Sequence, residues 1–201
     1  MKPKKTNREY RAMTTPLTVQ ETQNKRIDTD KYVEGYATTF NKPYVLCELN
    51  GVKYYEVIDH RAFDYADMSD VIMQYDHKGK VLARNKNGTL LLEADERGLF
   101  VCADLSKSRS AEELYEEIQN GLVTKMSMGF RVAKDFYNKE TRTRTILKFE
   151  KIYDVSPVIR AANEDTDITA HSYFDGVIEV ERREALVRRA KLLRLKIKLE
   201  D

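Results

Sequence analysis

Ser127 and His77 are the residues of this chain whose types suit nucleophilic catalysis. A hydroxyl is a weak nucleophile until a base takes its proton, and histidine is the usual base near neutral pH. The chain holds three histidines, His60, His77 and His171. His77 follows the apolar run 71–75 and stands in a turn marked by Gly79, where a ring can face a cleft. Asp76 precedes it, but neighbours along a strand point to opposite faces, so Asp76 is a poor direct partner. His60 also follows an aspartate, and His171 lies in a polar segment. Both read as surface histidines, because catalysis needs a specific partner. Ser127 stands in Lys125-Met126-Ser127-Met128-Gly129-Phe130. A small hydroxyl residue between two methionines is unusual for a plain strand, and Gly129 allows close backbone approach by a substrate or a neighbouring strand. The segment is not a Gly-x-Ser-x-Gly elbow, because Lys125 stands two residues before the serine. Taken alone, Ser127 also fits an ordinary strand serine. Among 33 acids that could orient a histidine, Asp154 stands out in the otherwise apolar run 152–157. A solvent-facing strand residue would read the same way, since strand faces alternate.

Short runs rich in aromatic and β-branched residues, divided by turn residues, must position these groups. Residues 32–40 read as a strand. Residues 44–49 and 52–58 flank Asn50-Gly51, a dipeptide that supplies positive φ and predicts a hairpin. Residues 61–68 suit a short helix, and 71–75 a buried strand. Residues 81–84 and 89–94 flank Asn87-Gly88, a second hairpin signal, and Arg97-Gly98 turns into a strand over 99–105. Ser110 with Glu113 forms a candidate capping box for a helix whose Ala111, Leu114, Tyr115 and Ile118 share one face. Gly121 suits its C′ position. Residues 123–132 and 144–158 read as extended, with a polar turn between them. The pattern predicts a mainly β fold with some helix, its antiparallel strands forming a barrel or sandwich.

Charge divides the 201 residues into three parts. Residues 1–26 are polar and aperiodic, with seven Lys/Arg against two acids, and read as a basic flexible arm. Residues 179–201 carry eight Lys/Arg and five acids. Their Leu186, Ala190, Leu193 and Ile197 form an apolar stripe, which predicts a basic amphipathic C-terminal helix. Because the whole chain is +2, the body 27–178 is left at −6. An acidic body lacks the basic face of a nucleic-acid-binding domain. The basic arms keep a nucleic-acid-binding module as an alternative, whose mark is steep salt dependence. Cys47 and Cys102 have no CxxC or Cys/His cluster beside them, which excludes a disulfide scaffold and argues against zinc. No metal or cofactor is expected. No apolar run approaches the roughly 18 residues of a membrane span, and no apolar signal segment follows the basic N-terminus.

Six pieces in order resemble the prohead maturation proteases of tailed bacteriophages. They are Glu34-Gly35-Tyr36-Ala37 with Phe40; Phe63; Asp76-His77 with Val81-Leu82-Ala83-Arg84; the paired strands over 88–105; Met126-Ser127-Met128-Gly129-Phe130; and Asp154-Val155-Ser156-Pro157-Val158. The likeness spans about residues 32–175. Ala83, Ser106 and Ala161-Ala162-Asn163 depart from the family pattern in loop positions, which leaves substrate preference open.

The resemblance implies a serine endopeptidase with His77 and Ser127 as base and nucleophile. The family is similar to herpesvirus assemblins, which use a serine and two histidines on an antiparallel β-barrel wrapped by a few helices. In assemblins the third member follows the serine by about the interval at which Asp154 stands here. With no histidine near that point, the resemblance implies Asp154 as the third residue. Gly129 and Arg160 are candidates for the oxyanion or substrate side. The implied substrates are a scaffold protein, the scaffolding segment of the major capsid protein, and the protease's own tail. The implied setting is the assembling procapsid in the host cytoplasm. Assemblin-like enzymes imply a homodimer. The alternative reading is a catalytically silent capsid assembly or scaffold protein with the same fold.

Overall fold

Two long paired segments in the C-terminal half set the frame of the molecule. The computed structural model describes residues 8–19, 25–49, 51–159, 174, 176–180, 183–184 and 186–192. In chain order these form β1 (Glu9–Pro16), β2 (Thr18–Val19), β3 (Tyr32–Thr39), β4 (Tyr44–Leu49), β5 (Val52–Ile58), β6 (Ile72–Tyr75), β7 (Lys78–Arg84), β8 (Leu90–Ala94), β9 (Gly98–Asp104), α1 (Arg109–Gln119), β10 (Lys125–Asn138) and β11 (Thr143–Val158). β10 and β11 pair antiparallel along nearly their whole length. Met126, Met128, Phe130 and Val132 of β10 turn one face into the core, against Phe149, Ile152 and Val155 of β11. The period of two leaves Ser127 and Gly129 on the opposite face.

The fold is mainly β with few helices, as expected, and the described strands do not close into a barrel. They pair as two sheets. One is seven-stranded in the order β1-β10-β11-β5-β4, with β6 joining β11 and β7; the other is β2-β3-β9-β8. Nor is the pairing all antiparallel, because β11 runs parallel to β5 and to β6. Apolar residues of both sheets and of α1 share one core.

Local signals held where geometry is local. β4 and β5 pair as the expected hairpin, with Leu49 opposite Val52 and Gly51 at φ 77°. The second hairpin does not form. Gly88 adopts φ 77°, but a 3₁₀ turn over Asn85–Asn87 carries the chain from β7 in one sheet to β8 in the other. The turn residue fixed a backbone angle without fixing a partner. Residues 61–68 form turns and not the expected helix, with Asp67 bridged to Lys151. α1 is capped by Ser108, whose side chain accepts from the Ala111 amide, and not by Ser110. Gly121 ends it in the left-handed conformation, as its type suggested.

Part of the segment read as an arm is a strand. β1 pairs antiparallel with the edge of β10, and Glu9 and Arg11 are buried. Arg11 donates to Glu56 and Glu9 at 2.6 Å, and Arg144 donates to Glu9 at 2.7 Å, to Glu56 at 3.1 Å and to Asp135 at 2.7 Å. The Tyr44 hydroxyl also donates to Glu56. Burial alone would push the Glu9 carboxyl up, but the two guanidinium groups hold it below its ordinary value. Glu56→Ala leaves two buried guanidinium groups short of an acceptor. Breaking a buried pair this way costs about 3–5 kcal/mol, and urea unfolding should read that loss.

The expected C-terminal helix begins within the described residues, where positions 176–180, 183–184 and 186–192 are helical. Phe174 is fully buried against Tyr54, at a ring separation of 4.5 Å. Leu186, Val187 and Leu192 are exposed. Residues 193–201 lie outside the described residues.

Candidate active site

Adjacent positions on β1, β10 and β11 carry the polar groups of one face. Ala12 lies opposite Ser127, and Ser127 lies opposite Ser156. Tyr10 lies opposite Gly129, and Gly129 opposite Asp154. Strand alternation therefore brings a hydroxyl of β10 and a carboxylate of β11 to the same side. The register shifts just beyond Gly129, so that Phe130 pairs with Ile152 and Tyr153 is the extra residue of a bulge. Bulges of this kind re-aim side chains beside functional sites.

His77 arrives from the other direction. β6 and β7 are joined through Asp76 and His77, both at positive φ, 50° and 61°. This is the backbone of a tight two-residue hairpin, usually filled by Asn-Gly. Asp and His are among the non-glycine residues that tolerate it, at about 1–3 kcal/mol each. The Asp76 amide donates to the Pro157 carbonyl at 3.0 Å, which ties the turn to β11.

The structure brings His77, Ser127 and Asp154 together. His77 Nε2 and Ser127 Oγ are 2.6 Å apart, and His77 Nδ1 contacts Asp154 Oδ1. Burial would push the Asp154 carboxyl up; the hydrogen bond and charge of His77, the Ser156 hydroxyl and the Arg8 guanidinium outweigh it and hold it below 3.8. Asp154 is thus an acceptor-only carboxylate at neutral pH. It follows that His77 donates through Nδ1–H, and that Nε2 accepts from the Ser127 hydroxyl. The stability that Asp154 contributes is present above its unfolded value, and is lost as pH falls through its depressed folded value.

Three residues that sequence reasoning missed complete the arrangement. Ser156 donates to Asp154 Oδ1 at 2.6 Å. Arg8 pairs with the other oxygen, Oδ2, and its guanidinium lies over the rings of Tyr153, at 4.7 Å, and Tyr10, at 5.1 Å. The Tyr10 ring sits 4.4 Å from that of His77. Ser156 was visible inside the closing Ser-Pro motif, whereas Arg8 and Tyr10 lay in an aperiodic stretch with no local signal.

Gly129 sits against the Asp154–Arg8 pair. It lies in a strand paired on both sides, and a Cβ there would overlap the Asp154 carboxylate and press on Arg8 at 3.1 Å. The absent side chain leaves room for that ion pair. Gly129→Ala should push Asp154 off His77, a misplacement of roughly 1 Å that would lower any reaction carried by this site by about 100-fold. Steady-state kinetics beside a melting curve would check it. His60 is a surface residue 3.6 Å from Asp59. Arg160 and His171 lie outside the described residues. Among the described residues no cluster of His, Cys, Asp and Glu is arranged to hold a metal ion, and no helix is long and apolar enough to cross a membrane.

A sequence model of the caudovirus prohead serine protease family matches residues 17–177. The prohead protease of Enterobacteria phage HK97 is 32% identical over 148 residues, covering 72% of this chain and 61% of that relative. The chain therefore matches less than two thirds of the relative's length. No solved structure matches.

Proposed function

Because this chain belongs to the caudovirus prohead serine protease family, we propose that it is a serine endopeptidase of capsid maturation with Ser127, His77 and Asp154 as its catalytic residues. The observation that carries this reading is the continuous chain of hydrogen bonds from Asp154 through His77 to Ser127. Ser127 Oγ attacks the scissile carbonyl carbon as His77 Nε2 takes its proton. The tetrahedral intermediate collapses, the carbon–nitrogen bond breaks, and His77 returns the proton to the leaving amine. Water then hydrolyses the acyl-enzyme by the same route. Asp154 holds the imidazole in the tautomer that can accept, and Arg8 and Ser156 hold Asp154. The arrangement parallels the serine and two histidines of assemblins, with Asp154 in the place of the second histidine.

The substrates in this reading are the scaffold, or the scaffolding segment of the major capsid protein, and the chain's own tail. The enzyme acts inside the assembling procapsid, as a homodimer by analogy with assemblins. Its C-terminal segment exposes Leu186, Val187 and Leu192 among basic residues, a composition suited to acidic helical scaffold segments. Deleting 179–201 should abolish recovery of the protease in purified procapsids while cleavage of a capsid-derived peptide persists.

The experiment that tests the reading is co-expression with the phage's capsid protein, read by intact mass. Capsid protein shortened by the wild type and not by Ser127→Ala is the expected result. Equal shortening by both would remove Ser127 from the role of nucleophile. Full-length capsid protein in normal shells with both would favour a catalytically silent assembly protein. One observation gives that second reading weight: Ser127 is only 2% exposed.

A further inference from the structure

A nucleophile that must come within bonding distance of a peptide carbonyl is shut away in this structure. Ser127 is 2% exposed and the His77 side chain 5%. The N-terminal strand lies beside both. β10 has two edges, one taken by β11 and the other by β1, whose Ala12 lies directly opposite Ser127. The Tyr10 ring packs tilted against that of His77, and Arg8 pairs with Asp154. An extended substrate peptide that reaches Ser127 by pairing with its strand needs the edge β1 occupies.

We propose that β1 is an autoinhibitory strap that lies in the substrate's place along β10 and must be displaced before cleavage; this rests on the protease reading above. Four features support it. β1 is the edge strand of its sheet, so only its contacts with the body hold it. The family match begins at residue 17, one position after β1 ends, so the strap lies outside the matched residues. Its pairing is irregular between Met13 and Pro16, while Leu17 is buried and its amide donates to the Thr124 carbonyl at 2.9 Å. That places a hinge at the end of β1, with the following residue anchored. Finally, β1 brings a balanced pair of charges, Glu9 and Arg11, to a balanced pair on the body, Glu56 and Arg144. The ion network sets the register, and Glu56, Arg144 and Asp135 keep one another as partners when the strap leaves.

The test reads access to position 127 separately from catalysis, in the full chain. Ser127→Cys places a thiol there, and its alkylation by iodoacetamide is followed by mass against the buried Cys47 and Cys102. Ala12→Pro loosens β1, because proline removes a backbone donor and fits poorly within paired strands. Alkylation at position 127 should be at least about tenfold faster with Ala12→Pro added, from its slow rate in the intact strap. In the Ser127 background the same proline should raise the rate of capsid-peptide cleavage. Tyr10→Gly, which removes the ring over His77, serves as the second variant should Ala12→Pro not fold. Equal alkylation with and without the loosening substitutions overturns the strap. Faster alkylation with slower peptide cleavage also overturns it, since β1 would then build the site and not block it. Faster alkylation with no peptide cleavage by any form upholds the cover and overturns the protease reading.

Discussion

On the protease reading, Ser127→Ala should lower peptide cleavage by a factor on the order of 10⁵ and leave the fold standing. The size follows from what the substitution deletes. Without Oγ no acyl-enzyme can form, and His77 has no proton to accept, so the members of the site fail together and not by increments. What survives is the binding of the peptide and whatever polarises its carbonyl, which in serine proteases leaves a residual rate well above that in water. The fold should hold because Ser127 lies on the face of β10 opposite the core residues Met126 and Met128, and its hydroxyl bonds to His77 alone among the described side chains. Single-turnover cleavage of a capsid peptide, with circular dichroism of the same preparation, measures both halves of this expectation.

Asp154→Asn should lower cleavage by about 10⁴-fold, the loss expected when a buried carboxylate that orients a catalytic histidine becomes an amide. The carboxylate only accepts, so it compels His77 to carry its proton on Nδ1. An amide can donate as well, and it turns the ring toward the tautomer with N–H on Nε2. That form points a donor at Ser127 and cannot take its proton. The substitution also strips Arg8 of its ionic partner and leaves a charged guanidinium beside a neutral group. Stability should change its pH dependence in a set direction. In the wild type, the contribution of Asp154 is lost as pH falls below about 4, because its folded value is depressed. Asp154→Asn removes that acid-side loss, which unfolding curves across pH 3–6 would show.

The candidate site was legible where residue type and spacing sufficed. Three histidines left little choice of base, and His77, Ser127 and Asp154 stood in motifs that resembled those of one family in order. The structure adds what only pairing across the chain reveals. Arg8 and Tyr10 lie in a stretch without apolar alternation, because β1 fills its buried positions with Glu9 and Arg11. The groups that satisfy those charges, Glu56 and Arg144, belong to β5 and β11. A pattern of hydrophobic residues cannot show a strand whose interior face is ionic. The Asn87-Gly88 signal failed for a related reason: a turn dictates φ locally, whereas the sheet that receives the next strand is decided by the shared core. The parallel contacts of β11 with β5 and β6 likewise join segments far apart in sequence, and no local residue announces them.

The central claim is that Ser127 is a nucleophile activated by His77. A fluorophosphonate probe tests it most directly, because the probe phosphonylates only a serine whose proton is being withdrawn. The wild-type chain and its Ala12→Pro form are labelled to completion and mapped by peptide mass. The account predicts one adduct, on Ser127, formed faster in the Ala12→Pro form and absent when His77→Ala is added. An adduct on another residue, or none on Ser127 in either form, or labelling of Ser127 that survives His77→Ala, would contradict it.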